Sequence, residues 1–342
     1  MNVEDELQQT IVAMVQPGKG ILAADESAPT IAKRFKAVAV ESTEDNRRTY
    51  RSLLFTTPGI GEFISGVILF EETLAQSTDD GMPLPEILAR EGIVPGIKVD
   101  KGKIPLANAP GDLITQGLDG LAERLRDYKT QGARFAKWRE VYPITADNPG
   151  RLAIEANAEM LARYAAVCQA EGFVPIVEPE VLIDGDHSLE RCLEVTEAVQ
   201  HAVFHALHRH GVIFEYMVLK PSMVLPGKDH PPKASPEVVA ASTIKVLRRT
   251  VPAAVPSINF LSGGQAPEEA TANLNALNNL FAELAPWELS FSYARALQQT
   301  PLHIWAGRAQ NAARAQQAFY KRARLNGLAR HGDYRPEMEQ GD

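Results

Sequence analysis

Short apolar runs alternate along this chain with longer segments that have the hydrophobic period of a helix. The runs lie at residues 20–25, 66–70, 96–100, 134–139, 174–178, 217–220, 258–262 and 289–292. Helices are predicted near residues 43–56, 84–91, 118–131, 151–171, 188–210, 236–250, 267–279 and 309–326. This alternation indicates an α/β protein with a parallel sheet covered on both faces. Eight such units predict a (β/α)8 TIM barrel, and a doubly wound open sheet is the alternative.

Several predicted helix ends carry capping residues. Ser42 lies three residues before Asp45, as in a capping box that starts a helix. Gly132, Gly172 and Gly211 each follow a predicted helix, at the position where a C′ glycine ends one. No linker, repeat of fixed period or low-complexity tract divides the sequence. We therefore predict one domain over residues 1–342, with a polar C-terminal tail from about residue 331.

The composition excludes several classes of protein. The 342 residues carry a formal net charge of −8, and no cluster of Lys and Arg interleaves with aromatic residues, so neither nucleic acid nor a membrane surface is an expected partner. Cys168 and Cys192 both fall in predicted helices, which favours a reducing compartment over a disulfide scaffold. The N-terminus has no apolar signal segment, and no run approaches about 18 apolar residues. The sequence predicts a cytoplasmic protein.

Polar side chains follow the ends of the apolar runs, where a TIM barrel holds its active site. They are Asp25, Lys98, Lys137, Arg139, Glu178, Glu180, Lys220, Ser262 and Arg295. Lys220 closes an apolar run, and surroundings poor in water disfavour the ammonium form of an amine, which is then able to attack a ketone and form a Schiff base. A second lysine nearby, Lys137, is expected to disfavour the ammonium form further in both side chains.

The acidic residues at the same face suit imine chemistry. Glu178 and Glu180 are candidates for moving protons on and off the carbinolamine, and Asp25 is a candidate base for a substrate hydroxyl. A structural interpretation stays open on these residues alone, because Lys137 and the two glutamates also suit an ion-pair network inside a barrel.

Two loops predict a phosphate site. Residues 261–265 follow the seventh run and residues 292–295 follow the eighth, and the corresponding loops of TIM barrels bind phosphate through backbone N–H groups, a helix N-terminus and an arginine. The sequence therefore predicts a phosphate ester as substrate. A second anion contact is expected from Ser27, Thr30, Lys33 and Arg34. The two basic residues in this set are equally well explained as solvated helix charges.

Other chemistries fit the sequence less well. His201, His205 and His208 share one helical face, but the segment lacks the glutamate of H-E-x-x-H and belongs to an outer helix, so a surface patch is favoured over a metal site. No G-x-G-x-x-G, Walker A or G-x-S-x-G motif occurs. The sequence requires no metal ion, nucleotide or other cofactor.

Nine segments are long and specific. They are PGKGILAADES at 17–27, GVILFEET at 66–73, GIKVDKG at 96–102, TQGLDGL at 115–121, FAKWR at 135–139, IVEPE at 176–180, LKP at 219–221, FLSGGQ at 260–265 and FSYARALQ at 291–298. In these segments the chain resembles the class I, Schiff-base-forming fructose-1,6-bisphosphate aldolases. The resemblance implies a TIM barrel, a metal-independent lyase that cleaves fructose 1,6-bisphosphate in glycolysis and gluconeogenesis, and a homotetramer.

The resemblance also implies a role for each matching residue. Lys220 forms the imine with the C2 ketone, Glu178 assists its formation and dehydration, and Asp25, Lys137 and Glu180 act on the C4 hydroxyl and on charge near the reacting carbons. The implied phosphate-binding residues are Ser262, Gly263 and Arg295 at the 1-phosphate, Ser292 in the same region, and Ser27, Thr30, Arg34, Lys98 and Arg139 near the 6-phosphate end.

The chain departs from the family pattern in two places. The family's phosphate loop usually reads SYGR, whereas residue 294 is alanine, which serves as well unless the position requires a positive φ. Animal members also have a longer C-terminal tail that ends in a tyrosine at the active site, and Tyr334 is the last tyrosine of this sequence. The alternatives in function are an aldolase for fructose 1-phosphate or sedoheptulose 1,7-bisphosphate, and a scaffold or binding protein on the same fold.

Overall fold

The structure is a computed structural model that describes residues 2–340. Its strands are β1 (Gly20–Ala24), β2 (Ile64–Leu69), β3 (Val94–Lys98), β4 (Lys103–Pro105), β5 (Leu113–Thr115), β6 (Phe135–Tyr142), β7 (Val174–Val181), β8 (Val218–Leu219), β9 (Ser257–Phe260) and β10 (Glu288–Tyr293). Its α-helices are α1 (Val3–Met14), α2 (Ala28–Lys36), α3 (Glu44–Phe55), α4 (Glu71–Leu74), α5 (Leu84–Arg90), α6 (Leu121–Thr130), α7 (Arg151–Ala170), α8 (Leu189–Arg209), α9 (Pro236–Thr250), α10 (Pro267–Phe281), α11 (Arg295–Trp305) and α12 (Ala312–Arg330).

Eight of the ten strands named above close into a parallel barrel in the order β1, β2, β3, β6, β7, β8, β9, β10, with β10 paired back to β1. The predicted TIM barrel is confirmed, and the doubly wound open sheet is wrong. Each predicted apolar run overlaps one barrel strand, and each predicted helix overlaps one observed helix. None of the helices between residues 2 and 340 is long and apolar enough to cross a membrane.

The inside of the barrel is filled at its N-terminal end and open at the other. Helix α1 lays its apolar face, with Leu7 and Ile11, across this end and packs against barrel residues that include Phe135. The Phe135 ring lies so close to β3 that a Cβ on Gly96 would come within 2.2 Å of it. Glycine at position 96 therefore leaves room for the Phe135 ring. Phe135 and α1 together form an aromatic plug at this end of the barrel.

A β-hairpin of strands β4 and β5 was not predicted, because both strands are short and β4 is exposed, so neither produces an apolar run. The hairpin follows β3 and is tied to β6 by Thr115. Its hydroxyl donates to the carbonyl of Arg139 at 2.8 Å, and its backbone N–H donates to the side chain of Glu140 at 3.0 Å. The hairpin thereby lies beside the open end of the barrel.

The helix ends mostly follow the predicted capping chemistry. Gly132, Gly172 and Gly211 follow α6, α7 and α8 with φ of +97°, +77° and +66°, which confirms them as C′ residues. The N-cap of α3 is Thr43, whose hydroxyl accepts from the backbone N–H of Asn46 at 3.1 Å. The prediction of a capping box from Ser42 was wrong by one position.

The sequence pattern also missed α1, α2, α4 and α11. Helix α11 contains Pro301, which normally argues against a helix interior. The predicted polar tail from about residue 331 is partly docked against the barrel. Tyr334 is buried, its backbone N–H donates to Asn275 at 2.9 Å, and its hydroxyl donates to Glu339 at 3.0 Å.

Candidate active site

A cavity of about 580 Å³ opens at the C-terminal ends of the barrel strands. All of the site residues predicted from the sequence except Lys33 line it. They are Asp25, Ser27, Thr30, Arg34, Lys98, Lys137, Arg139, Glu178, Glu180, Lys220, Ser262, Gly263, Ser292 and Arg295. Lys33 is exposed and is not part of the lining, so of the two basic residues predicted at this anion contact only Arg34 reaches the cavity.

Strand geometry explains why these residues converge. Side chains alternate across a strand, so on β6 Lys137 and Arg139 point into the cavity while Trp138 points outward and packs on Tyr164 of α7. The strands are parallel and closed, which brings their C-terminal ends together from across the whole sequence.

Lys220 lies deep in the cavity, directly after β8, and is 3 % exposed. Its ammonium nitrogen is 3.4 Å from the Glu178 carboxylate, and the same carboxylate oxygen is 3.4 Å from the Lys137 nitrogen. Glu178 and Lys137 are each 4 % exposed. One carboxylate therefore bridges two buried amines, which gives an acid–base group within reach of the predicted nucleophile.

Lys137 also contacts Asp25, with 2.8 Å between the ammonium nitrogen and the carboxylate. Burial opposes ionisation of Asp25, but the positive charges of Lys137, Lys220 and Lys98 outweigh it and hold the pKa of that carboxyl well below its usual range. The pair is thus an ionised carboxylate beside an ammonium group.

The expectation that neighbouring lysines disfavour each other's ammonium form is wrong for Lys137. Burial does oppose its charge, but Asp25, Glu178 and Asp100 surround it and together raise its pKa well above the ordinary lysine value. The sequence shows that a second lysine is present, but it does not show how many carboxylates surround each one. Lys137 is a fixed positive charge in this cavity.

Five charged residues that line the cavity were missed from the sequence: Glu26, Glu71, Asp100, Lys101 and Lys103. Asp100 ended one of the apolar runs and Glu26 follows Asp25, so both had the signal used for their neighbours. Lys101 and Lys103 adjoin or belong to the unpredicted hairpin.

Carboxylates form ion pairs with three arginines, of which Arg34 and Arg139 line the cavity and Arg51 does not. Glu180 forms an ion pair with Arg139. Glu26, 7 % exposed, forms ion pairs with both Arg34 and Arg51, the latter at 2.6 Å. Burial of a carboxylate is costly without such partners, and here two guanidinium groups satisfy it. Glu180 pairs with Arg139 and not with Arg295.

The loop after β9 has the geometry expected of an anion site. Gly263 and Gly264 both have positive φ, +48° and +92°, and the turn is closed by the Gln265 N–H, which donates to the Ser262 carbonyl at 2.9 Å. Ser292, on β10, is 1 % exposed, and its hydroxyl has no hydrogen-bond partner among residues 2–340. A buried hydroxyl left unpaired beside a cavity is ready for a ligand oxygen.

Arg295 begins α11 next to this loop. No carboxylate of residues 2–340 lies within ion-pair distance of it, and partial burial together with the charges of Arg34 and Arg139 lowers the pKa of its guanidinium. Three guanidinium groups near one another favour an anion between them. Ala294 has φ −102°, so the position before Arg295 does not require a glycine.

The segment between β1 and α2 contributes a smaller set of polar side chains to the cavity. Ser27 is the residue before α2, and its hydroxyl lies 3.1 Å from that of Thr30. Both hydroxyls lie at a helix N-terminus, where anions are favoured. Tyr334 is not part of the cavity lining.

The histidine patch on α8 is exposed at His201, His205 and His208, in agreement with the surface interpretation. Within residues 2–340, no group of three or more His, Cys, Asp or Glu side chains is arranged to hold a metal ion.

Comparison with known proteins gives one consistent result. Residues 6–342 match the family model of class I fructose-bisphosphate aldolase. A probable class 1 fructose-bisphosphate aldolase of Xanthomonas campestris is 55 % identical over 98 % of this chain and 100 % of its own length. The cytosolic fructose-bisphosphate aldolase 5 of Arabidopsis thaliana is 56 % identical over 96 % of this chain and 92 % of its own. A fructose-bisphosphate aldolase of Plasmodium falciparum superposes with a TM-score of 0.95 at 50 % identity, covering 97 % of this chain and 96 % of the other. The chain belongs to the class I fructose-bisphosphate aldolase family.

Proposed function

We propose that this protein catalyses the reversible cleavage of fructose 1,6-bisphosphate to dihydroxyacetone phosphate and glyceraldehyde 3-phosphate, in glycolysis and gluconeogenesis, through a Schiff base on Lys220. The mechanism rests on one observation: the Lys220 amine is buried, and the Glu178 carboxylate lies 3.4 Å from its nitrogen. Both line a cavity that also includes the glycine turn after β9, which has the geometry of an anion site. This arrangement supplies a nucleophile and its proton shuttle at one point.

Imine formation begins when the Lys220 amine adds to the C2 carbonyl and gives a carbinolamine. The carbinolamine nitrogen passes one proton to the C2 oxygen, and Glu178, which holds the proton that it took from the Lys220 ammonium group, gives that proton to the resulting C2 hydroxyl, which leaves as water. The product is a protonated imine. Its positive charge makes it the electron sink for the next step.

The C3–C4 bond then breaks as the C4 hydroxyl loses its proton. The bonding electrons pass to the imine and form an enamine, and the C4 carbon becomes the aldehyde of glyceraldehyde 3-phosphate. Lys137 stabilises the developing negative charge on the C4 oxygen, because its ammonium form is held by three carboxylates. Asp25, whose carboxylate is 2.8 Å from the Lys137 nitrogen, accepts the proton of the C4 hydroxyl, and Glu180 acts on the same hydroxyl. Protonation of the enamine at C3 and hydrolysis release dihydroxyacetone phosphate.

The two phosphates are assigned to opposite groups of residues. Ser262, Gly263, Ser292 and Arg295 bind the 1-phosphate, which is supported by the positive-φ glycine turn and by the unpaired Ser292 hydroxyl. The 6-phosphate end is assigned to Ser27, Thr30, Arg34, Lys98 and Arg139. Two anchored phosphates fix the ketone against Lys220, which supplies much of the orientation the reaction needs.

We further propose a single domain over residues 1–342, a homotetramer, and a cytoplasmic location without a metal or other cofactor. Leu280 and Leu284, at the end of α10 and just after it, are 49 % and 47 % exposed and support an apolar contact between subunits. Light scattering and cell fractionation test the assembly and the location.

Trapping with borohydride tests the mechanism directly. With dihydroxyacetone phosphate present, borohydride reduces the imine, inactivates the enzyme, and adds the mass of the reduced ligand to the peptide that contains Lys220. A label found solely on the peptide that contains Lys137 overturns the assignment of the nucleophile. Cleavage of fructose 1,6-bisphosphate, compared by kcat/KM with fructose 1-phosphate and sedoheptulose 1,7-bisphosphate, tests the substrate.

A further inference from the structure

Asp100 lies just after β3, lines the cavity and is 6 % exposed, and the proposed reaction uses it only as one of the three carboxylates around Lys137. One carboxylate oxygen, Oδ1, is 2.7 Å from the Lys98 nitrogen and accepts the backbone N–H of Gly102 at 3.2 Å. The other oxygen, Oδ2, is buried and turned toward the Lys137 nitrogen at 3.8 Å, with no hydrogen-bond donor of its own among residues 2–340. The carboxylate therefore stands between two lysines.

The barrel register makes this carboxylate necessary. Lys98 of β3 and Lys137 of β6 are registered neighbours on adjacent parallel strands, and both point into the cavity. Like charges side by side on neighbouring strands repel each other, and burial strengthens the repulsion. Asp100 places a negative charge between the two ammonium groups.

The two lysines depend on Asp100 to different degrees. Lys137 also pairs with Asp25 and Glu178. Lys98 has Asp100 as its carboxylate partner within residues 2–340, and its ammonium group also donates to the backbone carbonyl of Asp100 at 2.6 Å. Removal of the Asp100 charge thus leaves Lys98 without a carboxylate partner within residues 2–340, whereas Lys137 stays held from two other sides.

We infer that Asp100 is a positioning residue that aims Lys98 at the distal phosphate of a bisphosphate substrate and holds Lys137 at the reacting carbons. The inference deepens the proposed function and rests on it. A ketose with one phosphate, such as fructose 1-phosphate, has no group for Lys98 to bind. Asp100 therefore contributes to the preference for two phosphates as well as to the rate.

Asp100→Asn tests this, because the amide keeps the shape and removes the charge. For fructose 1,6-bisphosphate we expect KM to rise by about tenfold, the size of one lost charge-assisted contact. For fructose 1-phosphate, KM is expected to change by less than about twofold. The loss of one of the three carboxylates around Lys137 is expected to lower kcat by about tenfold for both substrates, since Lys137 acts on carbons that both contain. Asp100→Glu, which restores the charge, recovers part of both losses.

A double-mutant cycle with Lys98→Met separates positioning from general damage to the fold. In the Lys98→Met background, Asp100→Asn is expected to leave KM for the bisphosphate unchanged while still lowering kcat. The same rise in KM in both backgrounds shows that Asp100 does not act through Lys98 and overturns the inference. Glu71→Gln is the matched control, because Glu71 lines the same cavity and pairs with the more exposed Lys101 at 3.1 Å.

Two measurements keep the outcome decisive. Borohydride trapping of dihydroxyacetone phosphate on Lys220 in each variant establishes that the active site is assembled. If Asp100→Asn does not fold, Asp100→Ser is assayed in its place. Wild-type protein is assayed alongside. If wild type neither cleaves the bisphosphate nor traps the ligand, the proposed function fails; if wild type does both and the Asp100 variants match it in kcat and KM, only the role of Asp100 fails.

Discussion

A buried glutamate on the outer face of β6 gives a quantitative prediction about stability. Glu140 is 0 % exposed, and its two carboxylate oxygens accept from the indole N–H of Trp138 at 2.8 Å and from the backbone N–H of Thr115 at 3.0 Å. Burial raises the pKa of Glu140 from 4.5 to about 7, although both hydrogen bonds oppose the rise. Folding therefore takes up a proton at this side chain near neutral pH.

The sign and size of the effect follow from the two pKa values. Between pH 4.5 and 7 the folded protein binds more protons at Glu140 than the unfolded chain, so the free energy of unfolding falls as pH rises through this window. The contribution is fully present below pH 4.5 and lost above pH 7. At about 1.4 kcal/mol per unit of pKa, the loss amounts to about 3 kcal/mol.

Glu140→Gln removes the titrating group while keeping the shape of the side chain. We expect the free energy of unfolding of the variant, minus that of wild type, to rise by about 3 kcal/mol between pH 5 and pH 8. Urea titrations at several pH values measure the difference, so that errors common to both proteins cancel. Glu155→Gln, on the surface of α7, is the control for the change from Glu to Gln itself. A difference for Glu140→Gln that does not change with pH refutes the reasoning.

Further predictions concern the cavity and the core. Arg295→Ala is expected to raise KM by about ten- to a hundredfold, which corresponds to about 1.5–3 kcal/mol, with little change in melting temperature; a drop of many degrees at unchanged KM shows instead that Arg295 is structural. Lys137→Met is expected to lower kcat by about a hundredfold or more while borohydride trapping on Lys220 persists, and loss of trapping contradicts a role confined to bond cleavage. Activity is expected to survive exhaustive EDTA treatment, and activity lost and then restored by zinc refutes the imine mechanism. Gly96→Ala is expected to destabilise the protein by about 1–3 kcal/mol in urea unfolding, because its Cβ would lie 2.2 Å from the Phe135 ring; Phe135→Leu in the same chain is expected to recover part of the loss.

The barrel was predictable because its strands are buried on both faces and so appear as apolar runs. The same principle explains what was missed. Strand β4 is exposed and β5 is short, so the hairpin leaves no such run. Helix α11 carries Pro301, and its existence depends on tertiary packing rather than on local propensity. Hydrophobic periodicity in the sequence reflects burial, so it does not reveal strands and helices that are exposed or irregular.

The candidate site was predictable as far as it depends on strand ends. Asp25, Lys137 and Lys220 each follow or close an apolar run, and a closed parallel barrel brings such positions together. The charge state of the cluster was not predictable, because it depends on how many carboxylates surround each amine. Lys137 illustrates this, since three carboxylates raise its pKa where the sequence suggested the reverse.

The aromatic plug at the N-terminal end of the barrel also constrains the order of events in the proposed reaction. With Phe135 and α1 filling one end, the open C-terminal end is the route for everything that enters or leaves the cavity. After C3–C4 cleavage the three-carbon ketone fragment stays covalently bound to Lys220, whereas the aldehyde is free. Glyceraldehyde 3-phosphate therefore departs first. In the direction of synthesis the ketone has to bind first, because an aldehyde already seated would stand between it and the amine.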